Sequence, residues 1–400
     1  FNKKSLNNFM SVWQKTLEKM LQSLTLGEIK VTFPDGSSKL FKGSRKGPTT
    51  DVCFLTEKSI KDTILGGSIG FCEGVIDGNI NSSSMSDLIE IGGYQESGLN
   101  TSGKGYYLFK LINKVFHLFN RNSIKRARKN ISAHYDLGND FYKLWLDESM
   151  TYSSAYFGEK KISLKEAQEN KYKQISNIVD LAKDDNVLEI GCGWGGFAEY
   201  AAKNYKSIIT AITISKEQFE FTKQRINNAK LSKLVNTRLI DYRKVKGSFD
   251  RIISIEMIEA VGEQYWPIYF KQIKNLLKPK GTAAIQVITI DDKFFDNYRK
   301  FPDFIQKYIF PGGMLPSMKA LEDPINNSGL KIDKVNSFGI DYASTLSIWR
   351  NQFNKSWPRI KKLGFDERFY RMWNLYFSYC EGGFRSGCID VKQVKISSIN

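Results

Sequence analysis

Residues 187–196 read Val187-Leu188-Glu189-Ile190-Gly191-Cys192-Gly193-Trp194-Gly195-Gly196, a β-favouring run that stops at a glycine-rich turn. A strand that enters glycines and then a helix can carry a nucleotide-type ligand, because glycine allows tight turns and close backbone approach. Gly191, Gly193 and Gly195 fit GxGxG, and Gly191, Gly193 and Gly196 fit GxGxxG. The string alone is ambiguous. A dinucleotide site would carry an acid about 20 residues on, at the end of the next strand, yet that place reads Ala211-Ile212-Thr213-Ile214-Ser215. The nicotinamide reading is weakened. No Lys-Ser/Thr pair follows to make a P-loop, and a purely structural turn stays as the bland alternative.

Outward from this turn the chain alternates strand and helix, which predicts an α/β fold with a doubly wound, Rossmann-like parallel sheet. The strand candidates are Asn186–Ile190, Ser207–Thr213, Asn236–Ile240, Phe249–Ile255 and Thr282–Ile288. Two intervening helices open with capping-box patterns, Ser163 with Glu166 and Ser215 with Gln218. After Ile290 an aromatic stretch does not read as another βα unit and is expected to be a substrate-covering insertion near 291–320. Alternation from Ile389 to Ile396 predicts an antiparallel strand closing the sheet as its edge. Ahead of this domain, 1–105 read as a small α+β domain, with turn signals at Pro34-Asp35-Gly36, Gly66-Gly67 and Asp77-Gly78. The linker 106–130 is basic and amphipathic: from Gly105 to Tyr135 there are seven Lys or Arg and no acid. It reads either as an interfacial helix on an anionic lipid surface or as an interdomain helix with a solvated basic tail.

Composition bounds the function. Four hundred residues suggest two domains, and a net charge of +17 favours a polyanionic partner, nucleic acid or an anionic membrane surface. The 27 Phe, 19 Tyr and 7 Trp imply large aromatic cores or an apolar cavity. No apolar run is long enough to span a bilayer, and the first residues lack a secretory apolar core, so a soluble or peripheral protein is expected. Five scattered cysteines without CxxC argue against disulfides or a zinc-thiolate cluster and for reduced cytoplasm. Only His117 and His134 are available, which leaves no metal site and no Ser-His-Asp relay in prospect.

Glu189, two places before the first glycine, gives the turn a pattern that resembles the S-adenosylmethionine (SAM) methyltransferases. In such folds Gln218 is positioned for a ribose hydroxyl or simply for its cap, and Asp241-Tyr242 for the adenine, with core packing as the other reading of Tyr242. Beyond the turn, a set of strings in the chain resembles the cyclopropane-fatty-acyl-phospholipid synthases, with a weaker echo in Gly67 to Gly78. The matching strings are His134-Tyr135-Asp136-Leu137-Gly138-Asn139-Asp140-Phe141-Tyr142, Met150-Thr151-Tyr152-Ser153-Ser154-Ala155-Tyr156-Phe157, the turn with Trp194, Thr213-Ile214-Ser215-Lys216-Glu217-Gln218, Asp241-Tyr242-Arg243, Glu256-Met257-Ile258-Glu259-Ala260-Val261-Gly262 and Tyr308-Ile309-Phe310-Pro311-Gly312-Gly313. The likeness covers about 130–395. It makes 131–400 a SAM-dependent methyltransferase domain, and it implies that Tyr152, Ser153, Glu189, Gly191, Gly193, Trp194, Gly195, Thr213, Ile214, Gln218, Asp241 and Tyr242 hold SAM.

The resemblance further implies transfer of the SAM methyl to a cis double bond of an unsaturated phospholipid, with proton loss as a cyclopropane closes. An alkene is a weak nucleophile, so positioning and electrostatics must carry the rate, and rings such as Tyr342 can face a transient cation. In the family the proton acceptor is a bound bicarbonate, caged here by Glu259, the backbone of Ile288, Tyr342, Ser154 in place of a cysteine, and Gln286 in place of a histidine. Cys380 matches another family cysteine; its alternatives are a nucleophile or a merely buried thiol. The altered cage also admits loss of a different proton, giving a methylene- or methyl-branched chain. The implied setting is cytoplasmic and peripheral at the inner face of the membrane, with a homodimer left open. A small-amine N-methyltransferase is the rival enzyme; a nucleic-acid methyltransferase is disfavoured because Ser254-Ile255-Glu256-Met257 stands where an Asp/Asn-Pro-Pro-aromatic string would be; a non-catalytic lipid carrier is disfavoured by the intact turn.

Overall fold

The computed structural model describes residues 11–94 and 137–399, and the basic linker 106–130 lies outside them. By contact the chain divides into two compact units.

The first unit takes residues from the 1–116 part together with Phe301–Phe304 and Gly364–Cys388. It contains α1 (Val12–Leu21), β1 (Leu26–Thr32), β2 (Ser38–Lys42), β3 (Arg45–Phe54), α2 (Glu57–Ile76), β4 (Ile80–Asn81) and α3 (Met85–Tyr94). Its sheet runs β2-β1-β3-β4, with β1 and β3 parallel. The late helix Glu367–Arg385 belongs here because it packs on α3. Gly382 allows the approach, since a Cβ there would lie 2.7 Å from the Ser86 carbonyl oxygen. Ser86 Oγ donates to Glu381 at 2.9 Å, and Arg385 pairs with both Asp87 and Glu90.

The second unit is built on a seven-stranded sheet. Its elements are α4 (Asn139–Tyr142), α5 (Leu164–Ile178), β5 (Asn186–Ile190), α6 (Gly196–Tyr205), β6 (Ile208–Thr213), α7 (Lys216–Asn228), β7 (Val235–Leu239), β8 (Phe249–Ile255), α8 (Trp266–Leu276) and β9 (Leu277–Ile290). Then follow α9 (Asp292–Tyr298), α10 (Met318–Asn326), β10 (Leu330–Ser337), α11 (Gly339–Lys361), α12 (the Glu367–Arg385 helix of the first unit) and β11 (Ile389–Ser398). The spatial order is β10-β11-β9-β8-β5-β6-β7. The five strands β5 to β9 are parallel, as the alternating pattern predicts.

Both faces of the central strand β5 are covered, so its apolar residues Val187, Leu188 and Ile190 fall on both sides of it, with Glu189 between them. Val187 joins Ala198, Ala201 and Ile209 on one face, and Leu188 and Ile190 join Ile252, Trp266 and Ile285 on the other. Two expectations are corrected. The last strand is antiparallel but interior, flanked by β9 and β10; its Val391, Val394 and Ile396 are fully buried, whereas β10 is largely polar and exposed and so takes the edge. Of the capping boxes only that of Ser163 and Glu166 is complete. Ser215 caps the Gln218 N–H, but the Gln218 side chain is engaged by Thr213, whose hydroxyl donates to it at 2.9 Å.

Candidate active site

The order of the sheet reverses around β5, because the chain leaves it toward β6 on one side and returns to β8 on the other. In open α/β sheets the ligand crevice forms beyond the carboxyl ends of the strands at such a point. The loops that diverge there are the glycine turn after β5 and the segment 256–259 after β8. They touch: a Cβ on Gly191 would lie 2.8 Å from Met257 Cγ.

Gly191, Gly193 and Gly195 all have positive φ, 81°, 51° and 80°, a region L side chains avoid. Gly195 backs onto α7, with its Cβ position 2.6 Å from Thr222 Cγ2, while the Thr222 hydroxyl donates to the Gly193 carbonyl at 3.1 Å. Gly193 differs, having no atom of the described residues within 4 Å of its Cβ position. That open side of a tightly turned backbone fits the close approach of SAM. Arg225 pins the turn from below, donating to the Trp194 carbonyl at 2.9 Å and pairing with Glu199 at 2.6 Å.

The other residues expected around SAM fall into place unevenly. Thr213 and Gln218 are buried and joined to each other, and Ile214 is half-buried beside them. Tyr242 is nearly buried, its ring edge-on to Tyr269, and its hydroxyl has no partner among the described residues. Asp241 is already gripped by Arg243, at 2.8 and 2.6 Å. Glu189 lies on the face of β5 that carries Val187, buried, with its carboxyl pushed up to about 8 by desolvation against the pull of Lys171.

Trp194 starts a line of aromatic rings. Its indole N–H donates to Asn139 at 2.7 Å, and its ring meets Tyr142 at 5.0 Å. Tyr142 meets Tyr152 at 5.6 Å, Tyr152 meets Trp349 at 5.3 Å, and Trp349 meets Tyr342 edge-on at 6.1 Å. The line therefore joins the glycine turn to Tyr342. Such rings exclude water and offer faces that attract a cation.

At its far end stand two carboxylates. Glu256 accepts from the Ser154 N–H at 2.9 Å, from Gln286 Nε2 at 2.8 Å and from the Tyr342 hydroxyl at 2.7 Å. Gln286 is aimed by Gln393, which donates to its Oε1 at 3.0 Å. Glu259 accepts from the Ile288 N–H at 2.6 Å. Among the described residues the structure thus gathers Ser154, Gln286 and Tyr342 on Glu256, which the sequence reading had not singled out, and gives only Ile288 to the Glu259 side chain. Ser154 contributes its backbone N–H, since its hydroxyl donates to the Ala155 carbonyl. Cys380 belongs to the first unit, where burial pushes its thiol up and the Asp303 charge adds to the shift; it is a neutral thiol.

Lys171 is a second residue that sequence reasoning passed over. It is fully buried, donates to Ser153 Oγ at 2.7 Å, and burial lowers its pKa to about 7 despite the charges of Glu256, Asp147 and Glu189. A signal was present. Leu164, Gln168, Lys171, Ile175 and Ile178 follow the three-and-four spacing of a buried helix stripe, so this lysine was never on a solvated face.

Glu259 is raised to about 8, chiefly by burial and then by the Glu256 charge. Between its ordinary 4.5 and about 8 the folded protein keeps a proton that the unfolded chain has shed, so stability falls as pH rises through that window. Glu259→Gln is expected to flatten this slope and to gain about 1–2 kcal/mol at pH 8. Urea titrations at both ends of the window measure it; a variant that loses stability as steeply as the parent would refute the assignment.

Residues 122–394 match the family described as mycolic acid cyclopropane synthetase. A tuberculostearic acid methyltransferase of Mycobacterium tuberculosis is 42% identical over 280 residues, 68% of this chain and 65% of the relative. A cyclopropane-fatty-acyl-phospholipid synthase of Escherichia coli is 38% identical, over 70% of each chain. The chain thus spans about two thirds of the length of the curated relatives it matches. Among solved structures, mycolic acid cyclopropane synthase CmaA1 with SAH and CTAB superposes with a TM-score of 0.64 at 30% identity, covering 67% of this chain and 97% of that one. Coclaurine N-methyltransferase, 18% identical with a TM-score of 0.62, shares the fold. With the glycine turn at the switch point and most of the chain aligned, the protein belongs to the mycolic acid cyclopropane synthetase family of SAM-dependent C-methyltransferases.

Proposed function

We propose that this protein adds a one-carbon unit from SAM to the cis double bond of a phospholipid acyl chain and closes it to a cyclopropane. The observation that carries this reading is the line of rings from Trp194 to Tyr342, which runs from the glycine turn to a carboxylate held by three donors. When bound, SAM supplies an electrophilic methyl group on a sulfonium. The turn at Gly191–Gly195 would hold it, Thr213, Gln218 and Tyr242 would line the nucleoside, and the rings of Tyr142, Tyr152 and Trp349 would keep the reacting alkene dry. A positive charge developing on the chain would be attracted to those faces by about 1–2 kcal/mol per well-placed ring. The relatives named for cyclopropane synthesis support the same chemistry. The excess of Lys and Arg, +17 overall, suits docking on an anionic membrane face, and no helix among the described residues is long and apolar enough to cross a bilayer.

The decisive assay incubates the protein with SAM and vesicles of monounsaturated phosphatidylglycerol. A gain of one CH₂ per acyl chain is expected, falling as salt screens the surface. With deuterated-methyl SAM the product is expected to keep two deuteriums by mass analysis, and with unlabelled SAM to show upfield cyclopropyl methylene protons by NMR. A branched chain that keeps an olefin would support the second reading, favoured by the tuberculostearic acid methyltransferase relative, and methylation of soluble amines alone would overturn both.

A further inference from the structure

The cage expected from the sequence calls for an added bicarbonate facing Ser154, Gln286 and Tyr342. In this structure the three donors already face a carboxylate of the chain itself. Glu256 Oε1 takes the Ser154 N–H and Gln286 Nε2, and Oε2 takes the Tyr342 hydroxyl. A bicarbonate on the same donors would meet like charge, so the residues do not fit one.

Glu256 is placed by its backbone. It has φ 50°, a left-handed conformation unusual for a glutamate, and its N–H is tied to the Gln286 carbonyl at 2.8 Å. Strain of this kind tends to collect at functional sites. The groups around the carboxylate come from several elements: Lys171 from α5, Gln286 from β9, Tyr342 from α11, Ser154 from the segment after α4, and Glu259 from its own loop. Burial raises its pKa, while Lys171 and the three donors pull it back.

We propose that Glu256 is the built-in proton acceptor of the reaction, so that turnover needs no exogenous bicarbonate. The inference rests on the acyl-chain reading above. In the step it serves, the alkene π pair forms a C–C bond to the methyl carbon, and the S–CH₃ pair stays on sulfur to give S-adenosylhomocysteine. The other alkene carbon becomes cationic. A C–H bond of the transferred methyl then breaks, its pair forms the second C–C bond of the ring, and the proton goes to a Glu256 oxygen. Glu256 is half-buried, so the proton leaves for solvent once the product has gone. The sum is alkene plus SAM giving cyclopropane, S-adenosylhomocysteine and one proton.

The test uses the full chain, SAM and monounsaturated phosphatidylglycerol vesicles in carbonate-free buffer, with and without millimolar sodium bicarbonate. The parent rate is expected to be the same in both. Glu256→Gln is expected to lose about a hundredfold or more in kcat while binding SAM by calorimetry within about twofold of the parent. Glu256→Gly, whose residue accepts the left-handed backbone and opens the cage, is expected to regain activity with added bicarbonate or formate. A parent rate that rises severalfold with bicarbonate overturns the proposal, as does a folded Glu256→Gln that keeps its turnover. A parent that binds SAM yet leaves every acyl chain unchanged overturns the acyl-chain reading itself, and the proposal with it. That result is distinct from bicarbonate dependence in an active enzyme.

Discussion

Gly193→Val is expected to abolish SAM binding, with an affinity loss of at least about a hundredfold, in a protein that still folds. The two consequences separate because, among the described residues, nothing lies within 4 Å of where the Gly193 Cβ would be. The fold therefore suffers only the left-handed φ of 51°, about 1–3 kcal/mol for a non-glycine residue. The isopropyl group instead fills the space beside the turn that a ligand would take. Gly195→Val is the contrast, because its Cβ would press on Thr222 Cγ2 at 2.6 Å; there the helix α7 must move and folding itself should fail. Calorimetric titration with SAM, alongside thermal unfolding of both variants, reads the difference. A Gly193→Val protein that binds SAM within tenfold of the parent would sink the assignment of the turn.

Tyr342→Phe is expected to lower kcat about 10- to 100-fold near pH 7 and to recover much of that loss as pH rises. Phenylalanine keeps the ring against Trp349, so only the hydroxyl is lost. That hydroxyl donates to Glu256 and is one of the contacts holding its pKa down against burial. Without it the carboxyl titrates higher, and a smaller fraction is ionised and able to accept a proton at neutral pH. The acid limb of the kcat profile should therefore move to higher pH with little change in the KM for vesicles. An equal loss at every pH would place the hydroxyl in some other role.

Much of the second unit was legible because it is locally encoded. The apolar run of β5, the glycines after it and the Ser163 cap each act within a few residues, and the alternation of strand and helix leaves a parallel sheet as the way to bury both faces of that run. The edge was misjudged for a physical reason: β10 is polar and exposed, with a weak period, so its existence depends on pairing with β11 rather than on its own pattern. The membership of the Glu367–Arg385 helix is similar. Its partner α3 lies almost 300 positions away, and no local signal marks such a contact.

In the candidate site the sequence by itself determined the glycine turn, the aromatic supply and, by resemblance, Ser154, Gln286 and Tyr342. Only the tertiary structure decided which acid those three serve. Glu256 and Glu259 stand three residues apart on one loop, and nothing in their order distinguishes them. The distinction arises because the backbone at 256 turns left-handed while bonded to the Gln286 carbonyl, placing that carboxylate on donors from β9, α11 and the segment after α4, whereas Glu259 meets Ile288. The partners of Glu256, up to 102 residues away, are chosen by the fold, since they depend on where distant elements end and not on which residues adjoin them.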